Sequence, residues 1–507
     1  MPRVPDEFAY LLAADTFSRG RLTNPTPAGW EHFETLHVLM VPTYMAKYPP
    51  GQGLVMALGR VLMGEFLLGI WLSVGLMVVS FYFLLSARLP RAWAVSGAIL
   101  SLVLLGGPGY WAQSYWGGAL AASAGALWFG AVFRFVNRPS SSLAIMAGLG
   151  ASLLAITRPL EGLVAVSLTG PWLLARILSD PIVRPRALRR IAVAAIPVLL
   201  TAVWHGHYNL RVTGSPVRMP YSVYEDQYAL APNLLVLPQP ELEKTYRHES
   251  IRKYHEEWGR QRWEYMRRPA VFVASRVHQI GNALYFFVGP LLLALAGLRQ
   301  FRVRKALSGV GLPLISVTAI VSLSMGAYPH YMAPVAGLYV VVVLTCLRHL
   351  LRSRRPVRKY LGLISLALLV VHSAGRTLRQ GRAPDGELAR RRALVERRLQ
   401  RIEGRDLVLL RSVPPSMEEN LWTYNGADLS DAAVLWGHSM GPAKDARLRE
   451  VYSDRTAWLL ELSADDSLSL QLLGKPLQRE PVYPLPSQEQ ARSVVPAEVD
   501  SSRTGPN

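Results

Sequence analysis

Ten long apolar runs, joined by loops whose basic residues fall almost wholly in alternate loops, leave few folds open to this chain. Crossing a bilayer as a helix takes about 20 apolar residues. Runs of that order cover 65–87, 92–107, 117–135, 140–157, 162–178, 188–204, 279–298, 306–326, 331–348 and 359–375. In hydrocarbon every backbone polar group must be satisfied within its own segment. The expected fold is therefore an all-α polytopic membrane protein of about ten transmembrane helices. Composition excludes the alternatives. Only 18% of the 507 residues are charged, against about 25% in soluble domains. The single cysteine, Cys346, lies inside an apolar run, which excludes a disulfide scaffold. A net charge of +20 would suit nucleic acid if the basic residues shared a soluble face. Many of them sit between apolar runs instead, so membrane lipids are expected as partners and nucleic acid is not.

Charge sets the orientation. One set of alternate loops carries nineteen Lys and Arg, from Arg88 to Lys359, while the short loops near 108–116, 158–161 and 327–330 carry only Arg158. The rule that basic loops stay inside makes the first set cytoplasmic. Residues 1–64, the large loop 205–278 and the tail then face the periplasm of a bacterium, with six helices in 65–204 and four in 279–375. The localisation expected is the inner membrane, multi-pass. The stretch 376–405 is also basic and reads as an amphipathic helix on anionic headgroups. Beyond it, Asp406–Arg411, Ala432–Trp436 and Thr456–Leu462 read as short strands with a helix at Lys444–Tyr452. A small C-terminal α/β soluble domain within 376–475 follows. The polar, proline-rich 476–507 reads as a disordered tail.

The first periplasmic segment holds the residues with chemical promise. Pro5 suits a helix start, and Asp6 and Glu7 in its first turn favour the helix dipole. Phe8, Leu11, Leu12 and Phe17 recur near one face, and Gly20 can close the helix, so an amphipathic helix on the membrane surface is expected. Next comes Lys47-Tyr48-Pro49-Pro50-Gly51-Gln52-Gly53. Two prolines hold the chain extended and launch a helix. Lys47 just before that N-terminus would make a phosphate site, or else a snorkelling interface lysine.

These motifs, with Thr157-Arg158-Pro159-Leu160-Glu161-Gly162, Tyr208–Pro216 and Pro329-His330-Tyr331-Met332-Ala333-Pro334, resemble the GT-C glycosyltransferases. More narrowly, they resemble the bacterial members related to protein O-mannosyltransferases and aminoarabinose transferases, the family 39-like group. The resemblance spans about residues 5–375 and rests on the order and common membrane side of the motifs. It implies sugar transfer from a polyprenyl-phosphate-linked sugar to a periplasmic acceptor: lipid, glycan or protein. It implies Asp6 as general base on the acceptor hydroxyl with Glu7 beside it, and Lys47, Arg158, His330 and Tyr331 around the donor phosphate. His330 stands where relatives often carry arginine. The resemblance also implies a spanning helix before the Asp6-Glu7 motif, and this sequence starts five residues before it; either the start lies further upstream, which is the expectation, or the protein lacks that helix.

Other features carry less. Gly437-His438-Ser439-Met440-Gly441 matches the nucleophile-elbow pattern, yet no histidine follows in the order a hydrolase needs. A divalent ion held by His32 or His37 with Asp6 or Glu7, or near His205 and His207, lacks a third ligand at telling spacing; a metal-free site is the other reading. His248 and His255 fall in a charged helix, Glu241–Met266, expected to be solvated. Two rival functions stand beside the transferase: a transporter or flippase, and an inactive scaffold that binds lipid-linked sugar. Transporters need ionisable groups within their spans. Here His372 is the clearest one and Glu65 lies at an edge, whereas the polar motifs gather at one membrane face.

Overall fold

The computed structural model describes residues 2–106, 110–239, 243–326, 328–380, 387–401, 404–463 and 467–473. The expected tail 476–507 lies outside them. Each of the ten apolar runs coincides with helix. Six helical stretches are long and apolar enough to cross a membrane: Phe66–Leu85, Gly118–Phe135, Pro159–Leu178, Arg184–Thr213, Pro269–Arg299 and Pro329–Leu351. Shorter apolar helices lie at Gly51–Met63, Arg91–Gly106, Ser141–Thr157 and Gly311–Ser322, and Pro356–Gln380 is a 25-residue helix. Large side chains such as Val79, Leu163, Leu200, Val203, Ile315 and Val370 are more than 60% exposed. A band of that kind is unfavourable in water and suits lipid.

Gly118–Phe135 is the most enclosed of these helices, and its Gly, Ala and Ser residues let neighbours approach closely. A Cβ on Gly125 would overlap the carbonyl oxygen of Pro334. That closeness fixes the short helix Pro329–Val335, and with it His330 and Tyr331, against the bundle centre.

The loops sort into two ends. At one end Arg88 donates to the Ser308 carbonyl at 2.9 Å and Arg134 to Ser86 Oγ at 2.7 Å. At the other end residues 1–50, the loop around Tyr110–Trp116, Arg158, parts of the large loop and the C-terminal domain all touch. The hairpin of β1 (Val38–Leu39) and β2 (Met45–Ala46) belongs to this second end.

The C-terminal sheet has strands β3 (Arg405–Val413), β4 (Val434–His438), β5 (Arg455–Ser463) and β6 (Leu468–Leu472), in the order β4-β3-β5-β6. The first three are mutually parallel and β6 pairs antiparallel with β5. Three strands and the helix Pro442–Val451 fall where the sequence places them; β6 is additional.

Three expectations are corrected. The helix Pro5–Ser18 does not lie on the bilayer with one face down, because Glu7, Ala9, Tyr10, Leu12, Ala13, Ala14 and Thr16 are buried around its circumference. It is clamped between Gly51–Met63 and the C-terminal domain, where Phe8 stacks on Tyr424 at 4.5 Å. The basic helix Glu387–Leu399 does not rest on headgroups, since Val395 and Leu399 pack into the sheet core. Its Arg392 is drawn in as well, donating to the Tyr424 carbonyl at 2.8 Å. Among the described residues, 243 onward, the charged segment of the large loop is helical over 249–267, and His248 and His255 are buried rather than solvated. His248 stacks on His438 at 4.2 Å and sits 3.6 Å from Glu34, joining the large loop, the first segment and the C-terminal domain.

Candidate active site

Asp6 stands in the first turn of Pro5–Ser18, at the positive end of the helix dipole. The Tyr48 hydroxyl donates a hydrogen bond to its Oδ1, and His37 Nε2 lies 3.6 Å from Oδ2. Local folding sets both partners. Pro49 and Pro50 end the extended stretch, and the helix Gly51–Met63 begins directly after them. Gly51 permits that start to press on Ser141–Thr157, since a Cβ there would sit 2.8 Å from the Ile156 carbonyl oxygen. Tyr48 is thereby held beside the Thr157–Arg158 turn. His37 is placed by the hairpin, in which Val38 pairs with Ala46 and the Lys47 amide donates to the His37 carbonyl at 3.0 Å. His37 holds φ +66°, a left-handed conformation that non-glycine residues rarely adopt and that surrounding contacts must enforce. The rings of Tyr48, Tyr224 and Tyr254 supply those contacts, and the Tyr254 hydroxyl is 3.5 Å from His37 Nε2.

Burial pushes the Asp6 carboxyl up, but His37, the Tyr48 hydrogen bond and Lys47 together bring it below the usual carboxylate range. Burial and Lys47 depress His37 to about 3 despite Asp6, so its ring is neutral at physiological pH. Tyr48 and Lys47 therefore keep Asp6 ionised. The Asp6 side chain is 39% exposed against 6% for His37, which leaves the carboxylate open to an incoming hydroxyl.

Glu7 is differently placed. It is buried, and its carboxylate accepts from the Arg3 amide at 2.6 Å and the Tyr115 amide at 3.1 Å. Burial lifts its proton affinity above the ordinary glutamate value, against those two hydrogen bonds. Its role in the fold is to tie the Tyr110–Trp116 loop to the first helix.

Lys47 does not reach the N-terminus of Gly51–Met63. Its ammonium donates to Glu225 Oε1 at 3.1 Å and lies 4.2 Å from the Tyr224 ring centroid and 4.8 Å from that of Tyr221. Arg158 is the barely paired cation. It caps the start of Pro159–Leu178, lies 4.6 Å from the Tyr331 ring centroid, and has its nearest carboxylate, Glu161, at 4.0 Å. Its guanidinium makes no hydrogen bond to a protein group among the described residues, although its side chain is only 15% exposed. Tyr10, pushed up to about 12 mainly by burial, feels both Arg158 and Asp6 and stacks on Tyr48 at 4.6 Å, so the two charges flank one group of tyrosine rings, called the chamber below. His330 acts as packing. It is wedged between Trp116 at 4.4 Å and Tyr331 at 4.6 Å, with Nδ1 3.3 Å from the Tyr110 hydroxyl.

Among the described residues no three His, Cys, Asp or Glu side chains converge as metal ligands. Asp6 and His37 form only a pair, so the donor set does not fit a divalent ion. Ser439 donates to Asp445 Oδ2 at 2.6 Å, and Asp445 also accepts from the Met440 amide at 2.8 Å. Those bonds fix the turn that leads into the helix Pro442–Val451, and His32 lies 3.5 Å from Asp445. A cavity of about 960 Å³ is lined by His278, Gln279, Asn282, Tyr285 and His372, with Tyr328 and Pro329 also in its wall, next in sequence to His330.

Sequence reasoning missed Tyr221, Tyr224, Glu225 and Tyr254, and named His37 only as a metal ligand. The signal for the first three was present: positions i, i+3 and i+4 share one face of the helix Pro220–Tyr228.

An ionised Asp6 has a consequence for pH. Because its folded value lies below the ordinary 3.8, deprotonation is complete above about pH 5. Any reaction that uses Asp6 as its base is expected to hold constant kcat/KM from pH 7 down to pH 5. A loss centred near pH 6.5 would show instead that His37 takes a proton in this range.

A helical bundle with many spans, an acid-and-arginine chamber at one end and an α/β domain closing it defines the class of this fold. The sequence matches no family profile and no curated protein. Among solved structures it is similar to ArnT from Cupriavidus metallidurans bound to undecaprenyl phosphate, with a TM-score of 0.51 at 14% identity over 91% of this chain and 89% of that chain. The apo form of the same protein gives 0.48 at 13% identity over 91% and 88%. The fold of the chain is thus the GT-C fold of ArnT.

Proposed function

We propose that this chain is an integral-membrane glycosyltransferase that moves a sugar from a polyprenyl-phosphate donor to an acceptor hydroxyl. The observation that carries the reading is the pairing, in one chamber, of an ionised and accessible Asp6 with a barely paired Arg158. The fold likeness to ArnT, solved with undecaprenyl phosphate bound, supports it. Asp6 takes the proton as the acceptor oxygen attacks the anomeric carbon. The bond from that carbon to the phosphate oxygen breaks, and Arg158 offsets the charge left on the polyprenyl phosphate. Tyr10 and Tyr331 both feel the two charges, and the Tyr331 ring lies against Arg158. Lys47 serves the base rather than the phosphate, because Glu225 engages its ammonium.

The same reading places ten crossings in the bacterial inner membrane with the chamber in the periplasm. The contacts among residues 1–50, the large loop and the C-terminal domain require all three on one side. Reporter fusions at Gln239 and Ser463 are expected to be active only outside the cytoplasm; a cytoplasmic signal at Ser463 would remove one helix from the count. Mass spectrometry of polyprenyl-phosphate sugars and envelope glycans, with and without the gene, tests the activity. Accumulated donor and a missing sugar on one glycan, lipid or protein are expected, and unchanged profiles would refute transfer.

A further inference from the structure

In open α/β sheets ligands bind outside the carboxyl ends of the parallel strands, where successive connections leave on opposite sides. The C-terminal sheet has such a point. From β3 the chain passes to β4 on one side, then crosses through the helix Pro442–Val451 to β5 on the other. A cavity of about 430 Å³ opens at the carboxyl edge of β3 and β5, within the range of small-molecule sites. It is completed from outside the sheet by Lys253 and Glu257 of the large loop and Arg391 of the basic helix.

We propose that this crevice binds a saccharide. Its lining decides the ligand class. The hydroxyl of Ser416 and that of Ser463 face it together with two cations, Lys253 and Arg391, and two carboxylates, Glu257 and Glu418. An anion would meet both carboxylates and a cation both basic groups, of which Lys253 already donates to the Pro415 carbonyl at 2.9 Å, while an apolar ligand would strand the two carboxylates. A neutral molecule rich in hydroxyls satisfies the set, because each hydroxyl both donates and accepts. The carboxylates of Glu257 and Glu418 have no hydrogen bond or ion pair among the described residues, and Trp422 contributes an indole edge whose Nε1 is likewise unpartnered. Lys253 and Glu257 flank Tyr254, which touches His37 beside Asp6. The saccharide therefore lies one helix away from the chamber. On the transferase reading it is a part of the acceptor glycan; the crevice itself stands without that reading.

The test uses the full chain in the cells that encode it, with a photoreactive benzophenone residue replacing Ser416 and, as control, the exposed Lys444. After irradiation the purified protein is oxidised with periodate and labelled with a hydrazide. A carbohydrate-bearing adduct is expected at position 416 and not at 444, reduced about tenfold when Glu257→Gln and Glu418→Gln are combined. Retained thermal stability of that double variant shows that folding is intact. Partition of the adduct into organic solvent identifies a lipid-anchored glycan, and its absence there a free one; either supports the site. No carbohydrate at 416, a protein adduct in its place, or labelling indifferent to the double substitution overturns it. The adduct should persist in Asp6→Asn, which separates the fate of the crevice from that of the transferase assignment.

Discussion

Asp6→Asn is expected to lower turnover at least about a hundredfold while the protein still inserts and still binds the lipid donor. A positioned general base contributes about 10² to 10⁴ in rate. Asparagine keeps the size of the side chain and can accept from Tyr48, so the chamber survives and only the proton acceptor is lost. Glu7→Gln makes the contrast. Glu7 accepts from two backbone amides and is closed off from the chamber by its own burial. Replacing a charged acceptor by a neutral one there costs about 1–2 kcal/mol of stability and leaves turnover within a few-fold. Steady-state kinetics beside thermal melts separate the two variants. Full turnover in Asp6→Asn with collapse in Glu7→Gln would reverse the roles, and indifference of both would end the proposed mechanism.

Arg158→Ala is expected to raise the donor KM and lower kcat/KM at least about tenfold. A charge-assisted hydrogen bond to phosphate is worth about 1.5–3 kcal/mol, and Arg158 is the chamber cation with no strong protein partner. Lysine at this position should recover only part of the loss, because it lacks the planar fork that grips two oxygens. Lys47→Ala acts elsewhere. It strands Glu225 and removes a charge that holds Asp6 below its ordinary range, so the acid limb of the pH profile should move upward while donor affinity changes less. Donor binding unchanged in Arg158→Ala would remove the phosphate assignment.

Much of this was legible in the sequence, for definite reasons. Run length and basic-loop alternation mark the helices, because hydrocarbon tolerates no other arrangement. Pro49-Pro50 and the Arg158-Pro159 step mark helix starts through fixed backbone angles. The strands β3, β4 and β5 show as apolar runs between polar turns. What covers an apolar face was not legible. The first helix and the basic helix Glu387–Leu399 have the periodicity of surface helices, yet protein rather than lipid covers them. Nor does local sequence reveal a partner 178 residues away: Lys47 reads as a phosphate ligand until Glu225 is seen beside it. The left-handed turn at His37 leaves no mark at all, since no glycine or asparagine is there to signal it.

One side of the first helix packs on Gly51–Met63, and the other reaches its seat against residues made some four hundred positions later. Phe8 rests on Tyr424, Asp15 accepts from the Ala427 amide at 2.8 Å, and the Tyr44 hydroxyl donates to the Asn425 carbonyl at 3.0 Å. At about 5–20 residues per second the ribosome needs roughly 20–80 s to supply them. Through that interval the bundle can be threading into the bilayer while the acid-bearing helix has Gly51–Met63 on one side and its other side uncovered. The helical scaffold is therefore made first, and the cover over the first helix is added last.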